Sequence, residues 1–102
     1  MLLEFSIIPL GKGESIGDEI AKILKMVEES GLTYKANPMG TVVEGDWDKV
    51  MGLVKKCHQE VLKNSLRVVT SITIDDRPGK PADRIVEKIK SVEKRLGREV
   101  KK

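Results

Sequence analysis

The stretch "LRVVTSITIDD", Leu66 to Asp76, alternates strictly in character. Leu66, Val68, Thr70, Ile72 and Ile74 fall in one row; Arg67, Val69, Ser71, Thr73 and Asp75 fall in the other. Successive side chains of a β-strand point to opposite faces, so one row is apolar and the other largely polar. A strand of this kind belongs to a sheet whose first face is covered and whose second is open, a common state for antiparallel sheets. That single element limits what the rest of the chain can build.

Two further patterns sort the remainder. "LLEFSIIP", Leu2 to Pro9, reads as a strand with Leu3, Phe5 and Ile7 on one face and Leu2, Glu4, Ser6 and Ile8 on the other, ended by Pro9. "LTYKA" and "TVVEG" read as a hairpin around the turn "NPMG", where Pro38 presets its backbone angle and Asn37 can bond back to the chain. Between these lie helical spacings. Ile16, Ile20, Ile23, Leu24 and Val27 form one stripe, started by Ser15 with Asp18 as a capping box and closed by Gly31. Trp47, Val50, Met51, Val54, Cys57, His58, Val61 and Leu62 form a second, capped by Asp46. Ala82, Ile85, Val86, Ile89, Val92 and Leu96 form a third, which Pro81 begins and Gly97 stops.

The order is strand, helix, strand, strand, helix, strand, helix. Two split strand–helix–strand units predict an α+β ferredoxin-like sandwich, a four-stranded antiparallel sheet with helices on one face, plus a C-terminal helix. Right-handed crossovers place the first and third strands at its centre. A chain of 102 residues fits one domain over 1–102. Phe5, Tyr34 and Trp47 are the only aromatic residues, so the core must be built from Ile, Leu and Val.

Several function classes fail on residue types. Cys57 is the only cysteine, which excludes an internal disulfide framework and the paired thiolates of a soft-metal carrier. With no basic flank before "MLLEFSIIPL" and no run of about 20 apolar residues, a soluble cytoplasmic protein without membrane association is expected. A base-stacking sheet needs aromatic side chains on its open face, and Phe5 falls in the helix-facing row, so nucleic acid is not expected as a partner. Cys57 and His58 are adjacent on a helix and diverge, so they make a poor nucleophile and base. "GKGES" could hold an anion on backbone amides with Lys12, and "IDDRPGK" brings Asp75, Asp76, Arg77 and Lys80 together, which reads first as an ion-pair network. No catalytic set and no metal set emerges. The open face carries Glu4, Ser6, Ser71 and Thr73, but Leu2, Ile8 and Val69 make it too apolar for pure solvation, and it suits self-association around a polar pocket.

The segment "SGLTYKANPMGTVVEGDWDKVM", taken with "IIPLGKGESIG" and "RVVTSITIDDRPGK", resembles the thiamine-binding-like family. This group is also called DUF77 or UPF0045 and is related to the YkoF and MTH1187 proteins. The resemblance spans nearly the whole chain. It implies a ferredoxin-like fold assembling through sheet faces into homodimers or homotetramers, with no cofactor but with thiamine or its hydroxymethylpyrimidine part as ligand. An aminopyrimidine offers a donor amine, ring acceptors and a flat face. On that footing Glu44 would accept from the amine, and Ser6, Asn37, Thr41 or Thr73 would complete the hydrogen bonds. Tyr34 or Trp47 would stack on the ring. Trp47 serves equally as a core or interface anchor, and Glu44 as a solvent-facing or subunit-bridging charge. "TVVEG" is too short to decide which of its rows faces the open side. One departure stands out, since "GKGESIG" carries a single Ser where the family's first loop often has more Ser or Thr.

The expected function is therefore that of a non-enzymatic, self-associating, small-molecule-binding protein with its pocket at the sheet or subunit interface. The alternatives are an oligomeric regulatory module that binds an anion or a protein partner, and an enzyme acting on a phosphorylated substrate through "DDR" and "GKG".

Overall fold

The strands of the sheet run in the order β2-β3-β1-β4, all antiparallel. They come from a computed structural model that describes residues 1–11, 16–78 and 84–97. Its elements are β1 (Leu2–Leu10), α1 (Ile16–Glu29), β2 (Thr33–Asn37), β3 (Gly40–Glu44), α2 (Trp47–Leu62), β4 (Arg67–Asp75) and α3 (Arg84–Leu96). Hence β1 and β3 are central, as right-handed crossovers require. The fold is α+β, a four-stranded antiparallel sheet with helices, as the element order predicts.

The core lies between the sheet and two helices. Leu3, Phe5 and Ile7 of β1 and Val43 of β3 meet Ile23 and Val27 of α1 and Val50, Leu53, Val54, Cys57 and Val61 of α2. Phe5 is the single aromatic in this layer, and branched aliphatic residues fill the rest, as the composition demands. Gly31 and Gly97 close α1 and α3 with φ near +75° and +73°, a left-handed conformation that disfavours any residue with a Cβ.

Several details depart from the sequence reading. β1 does not end at Pro9 but runs one residue further, to Leu10. A proline is tolerated there because its ring nitrogen lies on a strand edge that no described strand pairs. Asp46 occupies the cap position of α2 with extended backbone, yet its side chain makes no cap hydrogen bond. In α1 the buried meridian is Glu19, Ile23 and Val27, while Ile20 is half exposed. Lys22 Nζ lies 3.4 Å from Glu19 Oε1 and partners this buried acid. In α2 the buried residues include Leu53, absent from the expected stripe, whereas Trp47 is 53% exposed and Leu62 is exposed. The core-anchor reading of Trp47 is thus corrected: it opens α2, and the residues of the helix meet the core only from Val50 onward. The helix-facing row of β4 is only half covered. Val68 packs on the core and Thr70 meets His58 of α2, but Ile72 and Ile74 remain exposed, because β4 is an edge strand that α2 covers only in part. The expected Ser15 cap, the rest of the "GKGES" loop after Gly11, Lys80, Pro81 and Ala82 lie outside the described residues.

The third helix breaks the one-sided plan. α3 contacts β3, and Ile85 and Ile89 stand beside Glu4, Val42 and Thr73, residues of the face opposite α1 and α2. Among the described residues no helix is long and apolar enough to cross a membrane.

Candidate functional site

Strand register decides what the open face presents. Thr33, Glu44, Leu2 and Asp75 form one row across all four strands, and Lys35, Val42, Glu4 and Thr73 form the next. Farther along, Asn37 pairs with Gly40 and Ser6 with Ser71, followed by Ile8 with Val69. Glu44 therefore belongs to the open side, a matter its short strand left undecided. It is only 9% exposed, an unusual burial for an acid.

Two hollows adjoin on this scaffold. The first arises because β3 is shorter than β1. Pairing of β1 with β3 ends at Phe5–Thr41, while pairing of β1 with β4 continues to Leu10–Arg67. The turn at Pro38 and Met39 closes one end of the resulting notch, and Ile20, Ile23 and Leu24 of α1 wall it. The space is about 320 Å³, within the range of small-molecule sites. Its polar side chains are Ser6, Asn37 and Thr41.

The second hollow, about 370 Å³, lies on the open face beneath α3. Glu4, Lys35, Asn37, Thr73 and Asp75 line it, with Leu2, Val42, Ile85 and Ile89 as apolar wall. Asn37 borders both spaces. A third hollow of about 530 Å³ runs between α1 and α2 among Glu29, Asp48, Lys49 and Lys56, and holds none of the candidate residues.

The structure thus brings Ser6, Asn37 and Thr41 together in the notch and Asn37 and Thr73 together on the open face. Glu44 sits one row beyond, opposite Leu2, which lines the second hollow. Tyr34 pairs with Val43 on the helix side of the edge strand β2, and neither it nor Trp47 lines any of these three hollows. Glu4, Lys35, Asp75 and Ile20 were not among the sequence candidates for the site. Alternation along the strands places the first three on one face, but only the register shows that they converge.

Other reactive groups are engaged or shielded. Burial pushes the Cys57 thiol up to about 11, so it stays protonated and inert near neutrality. His58 Nδ1 lies 2.6 Å from Thr70 Oγ1, linking α2 to β4. Among the described residues no group of three His, Cys, Asp or Glu could hold a metal ion.

The family described as thiamine-binding protein matches residues 3–93. This chain belongs to that family. The match runs from β1 into α3 and so includes both hollows. The UPF0045 protein of Methanocaldococcus jannaschii is 39% identical over 92 residues, covering 90% of this chain and 91% of that protein. The UPF0045 protein YqgV of Bacillus subtilis is 32% identical and covers 93% of this chain. The crystal structure of the Methanocaldococcus protein superposes with a TM-score of 0.76 at 38% identity over 94% of both chains. A Bacillus cereus domain of the DUF77 group superposes with a TM-score of 0.74 at 30% identity, over 85% of this chain and 86% of that one. The family and fold that the motifs "SGLTYKANPMGTVVEGDWDKVM" and "RVVTSITIDDRPGK" imply are therefore established.

Proposed function

We propose that this member of the thiamine-binding protein family reversibly binds thiamine, or its hydroxymethylpyrimidine part, without converting it. The carrying observation is the junction of the two hollows at Asn37. A thiamine molecule has two unlike halves, a neutral aminopyrimidine and a permanently positive thiazolium ring. The notch is small and apolar, with a few hydrogen-bonding groups, and suits the pyrimidine. The second hollow is lined by the carboxylates of Glu4 and Asp75, with Lys35 beside them, and carboxylate oxygens suit a positive ring. Apolar walls at Ile85 and Ile89 keep the field there less screened than at an open surface.

Self-association belongs to the same reading. Ile8, Leu10 and Val69 are exposed on the open face, and pairing two such faces would bury them and enclose the ligand. The anion-binding alternative rests on the "GKGES" loop with Lys12, and Lys12 lies outside the described residues. Calorimetric titration of the purified protein with thiamine and with hydroxymethylpyrimidine, in low-phosphate buffer, tests the proposal. Saturable binding near one ligand per chain, or per two chains, is expected. Absence of heat together with absence of thermal stabilisation by either compound would sink it.

A further inference from the structure

The backbone of β1 offers the notch something no side chain there supplies. Asn37 and Gly40 close a two-residue hairpin, so their peptide groups bond each other. Peptide direction alternates along an antiparallel strand, and Thr41 therefore turns its N–H and C=O toward β1. Its partner Phe5 turns its own groups toward β3. The position of the Phe5 carbonyl agrees, since a Cβ on Gly40 would meet that oxygen at 3.0 Å. Two residues on, Ile7 points its N–H and C=O to the same side, where no described strand pairs with it. Pro9 follows with a carbonyl and no N–H. The edge thus presents one donor and two acceptors to the notch.

We propose that the Ile7 peptide edge is the specificity element for an aminopyrimidine. Its N–H donates to the ring nitrogen beside the amino-bearing carbon, and the amine donates to the Ile7 carbonyl. The inference rests on the thiamine-type reading and adds which hollow holds the ring and which atoms read it. A paired peptide strand is a poorer occupant. Ile7 and Pro9 are only about 7 Å apart along the strand, and the turn at Pro38 and Met39 blocks continuation. Stable strand pairing uses about five residues. A single ring fits between them, with Ile20, Leu24 and Met39 supplying apolar contact for its faces. A 4-oxo pyrimidine inverts the pattern, with an acceptor outside the ring and an N–H within it. Each polar group of the edge would then face its own kind, and both would lose a partner.

The test uses the full chain and two readouts. Hydroxymethylpyrimidine and its 4-oxo analogue are titrated while backbone amide resonances are followed by NMR. The amine is expected to bind at least about tenfold more tightly than the oxo compound, and the Ile7 amide to move downfield on saturation. An Ile20→Trp variant, which fills the notch from an exposed helix position, should lose that affinity at unchanged melting temperature. Binding that leaves the Ile7 amide unmoved while Glu4 and Thr73 amides shift would overturn this proposal and leave the thiamine-type reading intact. Equal affinity for the two analogues would also overturn it. Failure of both hydroxymethylpyrimidine and thiamine to bind would remove the thiamine-type reading, and this proposal with it.

Discussion

A Cβ placed on Gly40 would lie 3.0 Å from the carbonyl oxygen of Phe5. That contact is with backbone, which cannot rotate away. It sets how closely β3 approaches β1 at the place where their pairing ends and the notch begins. Gly40→Ala should therefore part the strands by a few tenths of an ångström at the rim of the site. The expected cost is about 1–3 kcal/mol, typical of overpacking, read as a lower urea midpoint at unchanged slope. Ligand affinity should fall with it, because Thr41 and the turn move together.

Asp75 separates the two halves of a thiamine-type ligand. It lines the open-face hollow and not the notch. Asp75→Asn should weaken thiamine about tenfold or less, the loss of a partly screened charge pair, and leave hydroxymethylpyrimidine unchanged. Titration of the variant with both compounds checks this. Equal weakening of both would place the positive ring elsewhere.

The buried thiol of Cys57 gives a pH signature. Folding raises its pKa from 9.0 to about 11, so the folded state favours the protonated form. This contribution is complete below pH 9 and is lost as pH rises from 9 through about 11. Cys57→Ala lacks the group, so its stability deficit relative to the parent should shrink across that window in urea titrations. In the same interval a thiol reagent should react with the native protein only slowly and with the unfolded chain at once.

His58 and Thr70 join α2 to β4 through a 2.6 Å hydrogen bond. Thr70→Val keeps the shape and removes the hydroxyl. It should cost about 0.5–1.5 kcal/mol in denaturant unfolding, and should leave ligand titrations unchanged because Thr70 lines neither the notch nor the open-face hollow. A larger loss would mean that the bond also holds the sparsely covered edge strand against its helix.

Much of the architecture was legible in residue pattern. The alternation at Arg67 to Asp75 placed Thr73 and Asp75 on the open face, and the spacing of Val50, Val54, Cys57 and Val61 marked the buried side of α2. Phe5 toward the helices and Ser6 away from them followed from the same period of two. Local pattern failed where coverage depends on a neighbour's reach. Ile20, Ile72 and Trp47 look like core by spacing, yet each is exposed.

The sequence alone determined the order of elements, the two faces of each strand and the family, because these depend on periods of two and 3.6 and on short motifs read along one chain. Tertiary structure decided the site. Glu44 is assigned to the open side only by pairing with Leu2, and the notch exists only because the pairing of β1 with β3 stops at Phe5–Thr41, five residues short of the end of β1 at Leu10. Register and relative strand length are properties of two segments together, set by packing and turn geometry, and neither is written in either segment by itself.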